Sequence, residues 1–199
     1  MKKIIFSVCL FFTAGIAFGQ TFMHGAGLTV FVGSSKGNDV TVGEGFTYYP
    51  RVNVVETEAL SLSVGIPLTA GIGVSGNFYY STGNGFSDNG SVGLILNAPL
   101  LLSLNMGRGS TKDNTSKLGY FFGGGFAYHH GDFLTTQTDN YGNDYTDSRS
   151  YNVYGPAAHA GFRIGVGRKH KNIEVRFSYM KGTNEDKPDI FGVGCLFNF

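Results

Sequence analysis

The final stretch, Ile190 to Phe199, constrains the chain most. Phe191, Val193, Cys195, Phe197 and Phe199 fall on one parity, and Gly192, Gly194, Leu196 and Asn198 on the other. Alternation with a period of two is a strand signal, and about ten residues is the length a tilted strand needs to cross a bilayer. One face is bulky and apolar while the other is small or weakly polar. Such a strand suits lipid on one side and a narrow lumen on the other.

The opposite end reads as an export signal. Lys2 and Lys3 form a basic segment, Ile4 to Phe12 an apolar one, and Ala17-Phe18-Gly19 offers small residues at the two positions a signal peptidase requires. The expected division is residues 1–19 as signal peptide and 20–199 as one mature domain. Cys9 lies within the apolar run and is no lipoprotein anchor. Removing two of the 15 Lys and Arg leaves 13 against 14 Asp and Glu, a near-neutral chain that does not favour a nucleic-acid partner. Cys195 is then alone, so no intramolecular disulfide can form. No later apolar run approaches the roughly 18–20 residues of a spanning helix. A membrane protein of this composition must be a closed barrel, because only helices and barrels satisfy their backbone in hydrocarbon.

Parity predicts eight strands: Phe22–Val32, Phe46–Val54, Leu60–Leu68, Val92–Met106, Leu118–Tyr128, Tyr154–Val166, Ile173–Met180 and Ile190–Phe199. In the fourth, Val92, Leu94, Leu96, Leu100, Leu102 and Leu104 share one face. Pro50 lacks a ladder donor, so a bulge or weak pairing is expected there. His130 to Ser150 reads as a hydrophilic loop and Gly167 to Asn172 as a compact basic turn. Long polar connections alternate with short ones, which puts Gly83–Asn89 and Asp139–Ser148 outside the cell and Gly167–Asn172 in the periplasm. Gly107 to Ser116 is too long for that scheme.

A soluble eight-stranded barrel also alternates but buries its apolar face. Eight strands enclose room only for side chains, which glycine and serine fit and rows of Leu and Phe do not. The bulky face therefore points outward into lipid. With its signal peptide, eight alternating strands and terminal Phe199, the chain resembles the small eight-stranded outer-membrane β-barrel family of Gram-negative bacteria. The resemblance implies an all-β, transmembrane, antiparallel up-and-down barrel in the outer membrane, reached through the periplasm. It also implies contact with outer-membrane lipid and lipopolysaccharide. Phe197 and Phe199 are similar to the family's C-terminal assembly signal, which engages the barrel assembly machinery. A chain stopping at the barrel is expected to lack the peptidoglycan-binding domain of outer-membrane protein A relatives.

Chemistry-bearing residues are few. Some barrels of the family resemble lipid A deacylases or palmitoyltransferases, with a His beside Ser and an acid. Here His24, His129, His130, His159 and His170 are present, none followed two places on by Ser, so no catalytic residue is assigned. Parity turns His159 inward and places His24 at the lipid interface. Asp139 to Tyr145 is oxygen-rich but lacks the spaced ligands of a calcium loop, and Gly123-Gly124-Gly125 precedes no helix that could cradle phosphate. No metal or cofactor is expected. The in-strand charges Arg51, Arg163, Glu174 and Arg176 all face inward, and Glu174 can bridge Arg163 and Arg176 across one hairpin, with Arg51 joining from elsewhere. This predicts a structural charge network in the lumen. Inward Phe31, Ile95, Leu101, Phe121, Met180 and Leu196 oppose a water column. A structural or surface-interaction role through extracellular loops, whose ligand the strands do not reveal, therefore ranks above a narrow porin or solute conduit. A lipid-modifying enzyme ranks below both.

Overall fold

The computed structural model describes residues 21–34, 40–76, 91–138, 144–167, 170–183 and 188–199. The export signal at 1–19, the segment 83–89 and most of the oxygen-rich stretch, at 139–143, lie outside the described residues. Nine antiparallel strands form: β1 (Phe22–Ser34), β2 (Val40–Glu56), β3 (Leu60–Gly65), β4 (Leu68–Gly76), β5 (Ser91–Gly107), β6 (Leu118–Thr138), β7 (Asp144–Gly165), β8 (Asn172–Lys181) and β9 (Asp189–Asn198). Strands pair in chain order except that β3 and β4 do not pair with each other, and β1 closes on β9 from Gly25↔Asn198 to Ser34↔Asp189.

The wall nevertheless has eight staves, because β3 and β4 are two halves of one. Both pair with β2 and with β5. The interruption falls at Ile66-Pro67, since Pro67 has no N–H to give either neighbour. Pairing resumes beyond it without a slip: Arg51↔Gly65 on one side continues as Tyr48↔Leu68 on the other. Pro50 lies opposite this break, and its carbonyl still accepts Ile66 N at 3.1 Å. The expected irregularity at Pro50 is thus a gap in the ladder, while the bulge itself sits between Asn53 and Val55. Beyond that bulge Val54 and Val55 are both exposed, as an extra residue in one strand requires.

Parity sorts the two faces. Leu28 (66 % exposed), Phe46, Ile72, Leu100, Phe126 and Phe177 point out, while Thr29, Tyr49, Ile95, Phe121 and Leu196 are buried inside. An apolar outer wall around a side-chain-filled interior is the arrangement of a barrel solvated by hydrocarbon. Small inward residues let the strands approach: a Cβ at Gly123 or Gly125 would collide with the carbonyls of Leu102 or Leu100.

Two readings from sequence need correction. The stretch His130–Ser150 is mostly ladder, since β6 and β7 stay paired from Leu118↔Ile164 out to Thr138↔Asp144. Likewise β4 runs on to Gly76, and the ladder of β1 with β2 reaches Ser34↔Val40. Apolar alternation ends where lipid ends, but backbone pairing needs no apolar side chains and continues into water. The second concerns Gly107–Ser116, too long for a compact turn in the sequence scheme: the connection folds back, burying Arg108, Ser110 and Thr111.

Candidate functional site

The charged cluster sits in the lumen at the terminal end, where β1 begins and β9 ends. On β8, Ile173 and Phe177 face outward, so alternation turns Glu174 and Arg176 inward. Register sets Arg163 of β7 directly across from Glu174. Arg163 Nε donates to Glu174 Oε2 at 2.7 Å, and Arg176 donates to Oε1 through Nε at 3.1 Å and also through Nη2. Asn198 Nδ2 adds a fourth donor at 3.2 Å. Glu174, Arg163 and Arg51 are all almost fully removed from solvent.

Arg51 does not bond Glu174. It reaches Asn105 Oδ1 at 2.9 Å and Gly109 O at 2.6 Å, the same two acceptors that Arg163 Nη1 contacts at 3.0 and 3.4 Å. The link between Arg51 and the other charges is therefore a side-chain amide and a backbone carbonyl. That carbonyl belongs to the inward turn. Gly107 and Gly109 take φ of 67° and 72°, a left-handed conformation that costs other residues about 1–2 kcal/mol. With that geometry the turn presents Gly109 O to the two arginines and Ser110 O to Asn53 Nδ2 (2.7 Å) and Ser61 Oγ (2.6 Å). Sequence reasoning missed Asn53, Asn105, Gly109 and Asn198. Parity places the three asparagines inside, and the signal for the turn was its excess length with two glycines two residues apart.

Aromatic rings cap the cluster. The Arg176 guanidinium carbon lies 3.9 Å from the Tyr49 ring centre, and that of Arg163 lies 4.4 Å from Phe121. Beside them, His159 Nε2 is 2.7 Å from Ser103 Oγ, both buried. His159 Nδ1 has no hydrogen-bond partner among the described residues, so no carboxylate orients this His as a general base requires. The other histidines are scattered. His129 is inward, 3.3 Å from Asn97 Oδ1; His130 lies 2.9 Å from Asn152 Oδ1; His24 packs 4.4 Å from the Phe199 ring on the outer wall. Phe197 and Phe199 are exposed on that wall and stack at 6.1 Å. Among the described residues, no three His, Cys, Asp or Glu side chains gather as a metal site would require.

Further along the lumen Thr29, Thr47 and Thr69 join by hydroxyl hydrogen bonds of 2.7 and 2.8 Å. Past them Phe31, Ala127, Val153, Met180 and Ile190 form an apolar cluster. From the terminal end to the far end the lumen thus holds a folded-in turn, a charge network, a hydroxyl layer and an apolar layer.

With 98 % of Ail, the attachment invasion locus protein of Yersinia pestis, the chain superposes over 90 % of its own length, at a TM-score of 0.51 and 13 % identity; that structure contains the heparin analogue sucrose octasulfate. Neisserial surface protein A gives 0.53 at 12 % identity, over 90 % of this chain and 97 % of that one. The fold is that of an eight-stranded outer-membrane β-barrel. At such identities the likeness extends to the fold alone. Neither a protein-family model nor a curated protein matches the chain.

Proposed function

We propose that the protein is an integral outer-membrane barrel, released from its signal at residue 19, that acts at the cell surface through the connections at its far end. The observation that carries this reading is a side-chain-filled lumen below a paired wall that continues outward. β6 and β7 remain paired for thirteen residues of β7, Asp144 to Pro156, past the last partner that β8 offers β7, Met180 opposite Ala157. A structure built for passage would spend its order on a pore; this one spends it on a projecting hairpin.

Orientation follows from the connections. The end where β1 begins and β9 ends has compact turns that expose Lys112, Lys117 and Lys171 beside Glu56, Glu58 and Asp113, whereas β6 and β7 extend far at the opposite end, where the sequence from 132 to 149 carries Asp132, Asp139, Asp144 and Asp147 against Arg149. We place the end with the compact turns in the periplasm and the β6–β7 extension outside. Ail's structure contains a polysulfated heparin analogue. An acidic hairpin would repel such a ligand, so the surface partner here is better sought among neutral or cationic molecules. Lipid and lipopolysaccharide surround the outer wall, and the C-terminal strand with Phe197 and Phe199 is the segment offered to the barrel assembly machinery. We assign no catalysis: the Ser103–His159 pair lacks an orienting acid and lies inside the packed lumen. The side chains that fill the lumen weigh against the porin alternative.

Planar bilayers with purified protein, paired with an adherence assay on expressing cells, test this reading. We expect no stable conductance steps, and adherence that is lost when residues 133–149 are replaced by a two-residue turn in a barrel that still folds. Reproducible single-channel steps with unchanged adherence would overturn it.

A further inference from the structure

Between the charge network and the apolar layer lies a cavity of about 40 Å³, bounded by Thr29, Thr47, Thr69, Asn97, Ser178 and Arg176 among others. That is room for a small ion or a few waters. We propose that this cavity is a binding site for a small inorganic anion of halide size, held by Arg176 and the surrounding hydroxyl and amide donors.

Three observations converge on an anion. The first is charge: buried Arg51, Arg163 and Arg176 face a single buried carboxylate, Glu174. An uncompensated buried cation is costly, and an anion alongside reduces that cost. The second is the spare capacity of Arg176. Its Nε and Nη2 both serve Glu174 Oε1, and planar guanidinium geometry turns Nη1 away from that carboxylate. Nη1 is buried with no partner among the described residues, on a side chain that bounds the cavity. The third is the set of hydroxyl and amide groups within an otherwise largely apolar wall. Three threonine hydroxyls share two hydrogen bonds, so one O–H of the chain is left to donate elsewhere. Asn97 has its Oδ1 engaged toward His129, so its amide nitrogen is the end that can donate. No Asp or Glu lines the cavity. A cation would meet the Arg176 guanidinium and no carboxylate to balance it; an anion meets that guanidinium and hydroxyl groups that can turn an O–H toward it.

The charge network and the cavity are independent of what the surface hairpin binds, so this site can stand or fall without the surface reading. The test uses the full mature barrel in detergent with sodium bromide, sodium chloride and sodium gluconate at equal ionic strength. Bromide and chloride should raise the thermal midpoint in a saturable manner, because a ligand bound only by the folded state stabilises it. Gluconate, too large for the cavity, should not. Thr69→Val keeps the shape of the side chain while removing its hydroxyl, and should weaken half-saturation about tenfold, the worth of one hydrogen bond to a charge. Crystals grown with bromide should show an anomalous peak within hydrogen-bond distance of Arg176 Nη1. Equal midpoints in bromide and gluconate, or density at Arg176 without an anomalous signal, would mean that water alone fills the cavity, and the proposal would be wrong.

Discussion

Glu174→Gln is the substitution through which the lumen is best interrogated. Glu174 accepts four hydrogen bonds, one from Arg163, two from Arg176 and one from Asn198, with no exposure to solvent. Glutamine keeps one acceptor oxygen and replaces the other with an NH2 that faces donors. It also leaves Arg51, Arg163 and Arg176 without their buried carboxylate. Removing one member of a buried ion pair costs about 3–5 kcal/mol, whereas a pair solvated by a wet lumen is worth roughly 0–1 kcal/mol. With a urea slope of about 2 kcal/mol/M, the buried case lowers the midpoint by about 2 M and the wet case by less than about 0.5 M. The chain contains no Trp, so unfolding in detergent is followed by far-UV circular dichroism. Asp189→Asn is the control, because its ion pair with Lys181 (2.8 Å) is open to solvent and should hardly move the midpoint. The triple change Arg163→Met, Glu174→Leu, Arg176→Met should recover much of the loss, since packed apolar groups often replace buried ions without penalty. Small and equal shifts for Glu174→Gln and Asp189→Asn would refute a dry, mutually dependent network.

Two further outcomes follow from the same geometry. Gly167 and Gly109 both hold positive φ, but a Cβ at Gly167 meets nothing within 4 Å, whereas one at Gly109 meets Asn172 Nδ2 at 2.9 Å and Arg163 Cδ at 3.0 Å. Gly167→Ala should therefore cost only backbone strain, about 1 kcal/mol, and Gly109→Ala clearly more; urea midpoints in the reverse order would remove the inward turn from the account. For orientation, single cysteines in a Cys195→Ser background should react with an impermeant maleimide on whole cells at Thr183 and not at Lys171, both exposed in the structure. Asn172 is unsuitable for this purpose because it is fully buried, so a silent cysteine there would say nothing about which side it faces. Labelling at Lys171 alone would invert the barrel.

What the sequence by itself determined is whatever depends on parity. Alternation in β1, β2 and β5 to β9 fixes which side chains meet lipid, because successive residues of a strand must face opposite ways. It therefore placed Arg51, Arg163, Glu174 and Arg176 in one interior and set Leu28, Phe122 and Val193 outside. The Arg163–Glu174 contact was legible as well, since a short hairpin sets opposite residues side by side. Three things only the tertiary structure decided. Arg51 reaches the cluster through Asn105 and Gly109 because the wall closes, bringing β2 and β5 around to β7, and closure leaves no mark on local periodicity. The turn after β5 folds inward because the interior has more donors than carboxylates, and backbone carbonyls of that turn supply acceptors; the need arises only once the arginines are assembled. The extension of β6 and β7 beyond the apolar belt was invisible for a third reason: in water both faces of a ladder are polar, so hydrogen-bonded strands continue without the alternation that would reveal them.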